Sequence, residues 1–202
     1  MKNKIERLRI AISRVFSAAL IGLILFSGSH LQSEAPVFGA ILFALGAVLC
    51  GIASLGRLWC SLYIAGYKTN KLITEGPYSL TRNPLYFFSF LGAIGIGLAT
   101  ETLFFTVIML VGFAIYYPMV ISSEEKKLSG LHSDDYAAYT AATPRFFPRF
   151  SGFKEPEDYA VKPIIFRKHI FDAVWFIWIL GVLQIIKALK TSGVVPTLLN
   201  FW

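Results

Sequence analysis

Gly76-Pro77-Tyr78-Ser79-Leu80-Thr81-Arg82-Asn83-Pro84-Leu85-Tyr86 is a polar loop set directly against an apolar segment, residues 84–100. Pro77 and Pro84 lack a backbone N–H and fix their own φ, so the loop is stiff and cannot be helical throughout. Asn83 precedes a proline and is pushed toward extended geometry, which suits Pro84 to be the first residue of a helix. Arg82 then stands at the mouth of that helix. If the helix crosses a bilayer, Arg82 lies at interface depth, where a cation needs a headgroup, a partner or a function.

The surrounding chain makes a bilayer the expected environment. Of 202 residues, 55% are hydrophobic and only 15% charged, and the mean hydropathy is +0.62. That is too apolar for an ordinary soluble domain. The expected fold is an all-α polytopic membrane protein with about five transmembrane helices and a cytoplasmic cap. Residues 15–27 follow a basic head (Lys2, Lys4, Arg7, Arg9, Arg14) and read as a retained first helix; the same pattern also suits a signal peptide. Residues 35–56 carry no charge and are long enough to span, with Gly39, Gly46 and Gly51 offering close approach to a neighbour. The apolar run 58–67, with Trp59, Tyr63 and Tyr67, is expected to continue along the membrane surface, and 68–78 to be an extended connector. Residues 84–100 and 102–121 should form an antiparallel hairpin about Glu101, with Pro118 kinking its second arm. Residues 170–186 are short for a span and contain Asp172; 194–202 form an apolar tail. These features divide the chain into N-terminal helices (1–56), a central core (57–150) and a C-terminal linker, helix and tail (151–202).

The net charge of +7 points to orientation and anionic headgroups, with no nucleic acid as partner. Five Lys or Arg precede the first span, four lie at Arg57, Lys68, Lys71 and Arg82, and eight fall in 122–168, while 28–34 and 100–102 hold none. This alternation puts the N-terminus, the Arg82 loop and residues 122–168 on the cytoplasmic side of an inner or plasma membrane. Cys50 and Cys60, on one helix, would stand about 15 Å apart, too far to bridge. The sequence has no metal-binding spacing of the CxxC or HExxH kind.

The polar stretch on that side begins Glu124-Glu125-Lys126-Lys127-Leu128. It continues His132-Ser133-Asp134-Asp135-Tyr136-Ala137-Ala138-Tyr139 and ends Thr143-Pro144-Arg145-Phe146-Phe147-Pro148. Leu128, Leu131, Tyr136 and Tyr139 fall near helical spacing, and Pro144 ends the helix. Gly76-Pro77-Tyr78, then Arg82-Asn83-Pro84-x-Tyr86, Glu124-Glu125-x2-Leu128, Tyr136-x2-Tyr139 and Pro144-Arg145-Phe146 form an ordered set. In this order and spacing it resembles the isoprenylcysteine carboxyl methyltransferase family and the related phospholipid N-methyltransferases. The likeness covers roughly 57–150. It departs at His132-Ser133, where the family often has Phe-Gly or His-Gly, and at Asn83, where it often has His. The resemblance implies an S-adenosylmethionine site at the cytoplasmic membrane surface, built from the C-terminal half.

On that footing the candidate catalytic residues are Arg82, Arg145 and Glu124. The candidate cofactor-binding residues are Tyr78, Asn83, Pro84, Tyr86, Glu124, Glu125, Tyr136, Tyr139, Arg145 and Phe146. Methyl transfer from a sulfonium needs alignment and a dry pocket rather than a metal. The rings of Tyr86, Tyr136, Tyr139 and Phe146 suit the sulfonium. Glu124 or Glu125 suits ribose hydroxyls or the amino group, and Arg82 or Arg145 a carboxylate. Each has a plainer role: solvated helix-end charge for the glutamates, cap packing for the tyrosines, orienting cation for Arg145. His132 is a proton relay or a surface residue; Asp172 is interfacial or an intramembrane contact. The expected acceptor is lipophilic and enters between helices near Gly92–Gly97. It is an isoprenylcysteine-like carboxylate by resemblance, or a phospholipid amine, or a small thiol or hydroxyl. The rival classes are a non-enzymatic helical scaffold or small transporter subunit, and a membrane reductase.

Overall fold

The computed structural model describes residue 15 and residues 18–67 and 71–201. The basic head at 1–14, Lys68 and Trp202 lie outside the described residues. Residues 18–26 are helical (α1) and run into a three-residue strand, β1 (Ser27–Ser29). There follow a single helical turn α2 (His30–Glu34) and the long α3 (Pro36–Ile64). A short helix α4 (Pro77–Leu80) precedes α5 (Pro84–Ala99), with Pro84 in its first turn. Then come α6 (Leu103–Ala142), α7 (Pro163–Thr191) and a second strand, β2 (Leu199–Phe201).

This is a polytopic, all-α membrane protein. Three helices, α3, α6 and α7, are long and apolar enough to cross a bilayer. The 16-residue α5 is apolar but shorter, about 24 Å by helical rise. Large apolar side chains stand exposed at Val37, Ile41, Leu45, Val48, Ile52 and Leu55 on α3. On α7 the same holds for Phe171, Trp175, Trp178, Val182 and Ile185. Steps of three and four residues place each set on one stripe, which hydrocarbon solvates and water would not. The helices pack in the order α7, α3, α5, α6, with α5 also touching α7. The α3–α5 contact is backbone against backbone. A Cβ on Gly46 would stand 2.5 Å from the Gly95 carbonyl oxygen, and one on Gly95 2.8 Å from the Gly46 carbonyl oxygen. Cys50, Ala53, Ile96 and Phe176 fill the core beside it. Both cysteines are free thiols.

Several expectations change. The C-terminal apolar stretch is a complete 29-residue helix beginning at Pro163, because the run 163–169 upstream of the apolar segment is helical as well. α3 does not turn onto the membrane surface after Arg57 but runs on to Ile64. Arg57 is therefore inside the bundle, where it donates to Ser89 Oγ on α5 (2.5 Å) and sits over the Phe176 ring of α7. α6 stays helical across Pro118 and has a further break, unforeseen in the sequence, at His132 (φ −132°, ψ 26°), beyond which Tyr136 and Tyr139 are buried. Gly51 meets no described atom within 4 Å of a built Cβ, so it is not a packing glycine. The tail is not a free interfacial segment. Leu199–Phe201 pairs in parallel with Ser27–Ser29, and Phe201 stacks on Phe104 (4.0 Å, 7°).

The α5–α6 turn holds a feature that the sequence left unassigned. Glu101 has a positive φ (59°) and is 3% exposed. Its carboxylate pairs with Lys187 of α7, and its carbonyl accepts from Ser29 Oγ at 2.6 Å. One turn on, Lys190 Nζ donates to the carbonyls of Ile24 (2.6 Å) and Ser27. Thus α1, the α5–α6 turn, α7 and the strand pair are joined at one end of the bundle, opposite the end where the polar motifs lie.

Candidate functional site

At that other end the two polar stretches run side by side. Residues 144–154 act as a backing for 76–82. Arg82 N donates to Pro144 O (2.9 Å), Arg149 N to Leu80 O (2.9 Å) and Gly76 N to Lys154 O (2.7 Å). Thr81, fully buried, donates from Oγ1 to Phe146 O (3.0 Å). Ser79 Oγ accepts from Lys154 N (3.0 Å). Gly76 is at φ +58°, and a Cβ there would fall 2.3 Å from the Tyr63 ring, so only glycine fits the turn into α4. From α6, the Tyr139 hydroxyl donates to Tyr78 O at 2.7 Å.

Glu125 is the electrostatic hub of this junction. Its carboxylate is 3.6 Å from Arg82 Nη1 and 3.0 Å from Arg145 Nε, and it accepts from Asn83 Nδ2 at 3.1 Å. Asn83 Nδ2 also donates to Arg145 O (2.9 Å), and Arg145 Nη2 to Ser122 Oγ (2.7 Å). Arg82 and Glu125 side chains are each 16% exposed, so this pair is better shielded than a surface ion pair. Glu124, one residue earlier, points elsewhere, toward the Tyr86 side chain and the cleft that both line. Burial raises the Tyr78 phenol well above its ordinary pKa, so it remains a neutral donor at physiological pH.

A cleft opens beside this hub, with about 880 Å³ of space free of protein atoms, its open mouth included. Of the residues singled out in the sequence, Tyr78, Arg82, Asn83, Pro84, Tyr86, Glu124 and Tyr139 line it. Glu125 and Arg145 stand behind as a brace and are not among the lining residues. Phe146 packs instead against Phe87, Phe90 and Phe113, with ring centroids 5.8–6.0 Å apart. Tyr136 is buried beside Tyr139 and is also off the lining. His132 is at the α6 break with Nε2 buried and unpartnered among the described residues. Asp172 is exposed and pairs with His169 (3.6 Å). The space near Gly92–Gly97 expected for an acceptor is filled. A Cβ on Gly92 would strike the Phe176 ring at 2.4 Å, and one on Gly97 would strike Thr106 Cα at 2.6 Å.

The sequence did not single out Ile64, Lys71, Leu72, Ile73, Leu85 or Lys127 as part of this cleft, which they line together with Leu128 and Leu131. Leu128 and Leu131 were visible as an apolar helical face. Lys71–Ile73 belong to a connector without any motif, and only the return of the chain beneath α6 brings them here.

The fold and cleft define a helical membrane protein with an open, largely apolar cleft at one end of its bundle, into which a few charged and tyrosine side chains converge. The chain belongs to the phospholipid methyltransferase family, which matches residues 35–135. It is 36% identical over 194 residues to the cobalt-zinc-cadmium resistance protein CzcN of Cupriavidus metallidurans, covering 96% of this chain and 88% of that protein. It is 38% identical over 194 residues to the nickel-cobalt-cadmium resistance protein NccN of Alcaligenes xylosoxydans xylosoxydans, covering 96% and 89%. No solved structure matches it.

Proposed function

We propose that this protein is an integral membrane methyltransferase that uses S-adenosylmethionine and acts on a lipophilic acceptor, with its site on the cytoplasmic side. The observation that carries this is the gathering of Arg82, Tyr86, Glu124 and Tyr139 around one cleft from separate parts of the chain. Family membership supports methyl transfer, and the cation-free links at 28–34 and 100–102 support the orientation. The donor set suits the cofactor. Arg82 lines the cleft with Nη1 3.6 Å from Glu125 and with Nε making no hydrogen bond among the described residues, so its guanidinium has donors to offer a carboxylate. Glu124 offers acceptors for hydroxyl or amino protons, and Tyr86 and Tyr139 offer ring faces to a cation.

When bound, S-adenosylmethionine supplies an electrophilic methyl group on a sulfonium. The protein's own part is positioning and exclusion of water. The Glu125 brace holds Arg82 and Asn83 to one edge of the cleft, and Tyr139 fixes the Tyr78 carbonyl. Leu72, Ile73, Leu128 and Leu131 give the other walls apolar surface for the acceptor. An isoprenylcysteine-like carboxylate, a phospholipid amine and a small thiol or hydroxyl remain the candidate acceptors. The names of the two relatives concern metal resistance and specify no methyl acceptor.

Calorimetric titration of S-adenosylhomocysteine into the protein in phosphatidylcholine nanodiscs tests this. Wild type should bind, Glu124→Gln should weaken binding by about tenfold or more, the size of a lost charged hydrogen bond, and Arg145→Ala by less. Absence of binding by wild type, or wild-type affinity in Glu124→Gln, would count against the proposal. Labelled methyl transfer to a total lipid extract then identifies the acceptor.

A further inference from the structure

The segment 144–154, which backs the Arg82 loop, keeps large apolar side chains exposed outside any spanning helix. Phe147 is 69% exposed, Phe150 76% and Phe153 45%. Apart from one 3-10 turn, Phe150–Gly152, the segment is not helical, yet its backbone is well paired. Arg149 N donates to Leu80 O, Gly152 N to Arg149 O and Phe153 N to Phe150 O. Phe146 O accepts from Thr81 Oγ1, and Lys154 N donates to Ser79 Oγ. Pro148 has no N–H to satisfy. Non-helical chain stands at bilayer depth only on such terms. Two ring contacts set that depth. The Phe146 ring reaches Phe113 of α6 and Phe90, which is about 9 Å along α5 from Pro84 by helical rise. The Phe147 ring is 5.3 Å from that of Phe146. At the other end of the segment, Phe153 lies 6.0 Å from Trp59, which is about 7–8 Å short of Ile64, the last residue of α3. Exposed phenylalanines level with the terminal turns of α3 and α5 suit lipid and not water. The charges agree: Arg145, Arg149 and Lys154 are the only ionisable residues of 144–154, and carboxylates return at Glu155, Glu157 and Asp158.

We infer that residues 147–153 form a re-entrant contact with the bilayer leaflet at this end of the bundle. Phe147, Phe150 and Phe153 lie among the upper acyl chains, and Arg149 and Lys154, both exposed, extend to the phosphate layer. Lipid is the occupant of this apolar face because the rings stand at helix-end depth and the flanking charges are complementary to phosphate. The consequence is mechanical. The leaflet holds the segment whose backbone in turn holds residues 76–82 against the back of the cleft. The inference rests on the membrane fold and stands apart from methyl transfer.

The test is spin labelling of the full-length protein in nanodiscs of phosphatidylcholine and phosphatidylglycerol. Cys50 and Cys60 are fully buried free thiols, so a nitroxide reagent goes to an introduced cysteine, and unsubstituted protein gives the background. Labels are placed by Phe147→Cys and, separately, Phe150→Cys. Val48→Cys on the exposed stripe of α3 is the lipid reference, and Ser129→Cys, exposed on the last part of α6, is the water reference. Power saturation with oxygen, which concentrates in acyl chains, and with a water-soluble nickel chelate reads where each label lies. Each variant is first required to run as wild type on size exclusion, and because both sites are exposed, either one alone decides the outcome. Labels at 147 and 150 should be reached more readily by oxygen than by nickel, as at Val48, with the ratio inverted at Ser129. A nickel-favoured label at either position would overturn the inference, since the segment would then face water. A label shielded from both reagents would overturn it as well, because a second copy or another protein would then cover the face.

Discussion

Replacing Lys187 by Met should destabilise this protein more than replacing Glu101 by Gln, although both break the same ion pair. The asymmetry follows from burial. Glu101 is 3% exposed, whereas 40% of the Lys187 side chain reaches the surface. Without Lys187 the carboxylate stays buried without its cation, a loss of about 3 kcal/mol at the low end for such pairs. Without the Glu101 charge, Lys187 can turn to water or headgroups, and the cost is about 1 kcal/mol. For a chain of this size these correspond to drops in melting temperature of roughly 6–12 °C and 2–4 °C. Unfolding in detergent, followed by fluorescence of Trp59, Trp175 and Trp178, measures both. The double variant should lose less than the sum, because removing the carboxylate removes the charge that needed Lys187. Equal or reversed shifts, or a Lys187→Met shift below about 1 °C, would refute the reasoning.

Two other outcomes follow from packing and from the cleft. Gly46→Leu should abolish folded protein, because its Cβ would meet the Gly95 carbonyl oxygen at 2.5 Å, while Gly51→Ala, with no described atom within 4 Å, should be neutral or slightly stabilising; size-exclusion profiles and melting temperatures distinguish them. Tyr139→Phe should lose the bond to Tyr78 O (2.7 Å) and cost about 1 kcal/mol of stability. It should also weaken S-adenosylhomocysteine binding by a few-fold in calorimetry, since Tyr78 is part of the cleft wall.

The sequence by itself determined that the chain is a helical bundle for a bilayer, where α5 begins and which polar stretches to watch. Those are local properties: charge-free runs of spanning length, a proline that can only start a helix, and a motif order that resembles a family. Gly46 was likewise visible as a small residue, but Gly51 looked the same. Only the rotation of α3 against α5 decided that the first is a crossing point and the second faces outward. Arg145 and Phe146 stood in the same motif as Tyr139, yet tertiary structure put them behind the cleft, one bracing Glu125 and the other among phenylalanine rings. Lys71 and Glu101 carried no motif at all. Their surroundings are made by residues tens of positions distant, and burial and charge balance depend on what the fold brings near rather than on what the chain places next. That is the physical reason the membrane architecture was legible residue by residue while the chamber's walls, and the clasp at the opposite end, were not.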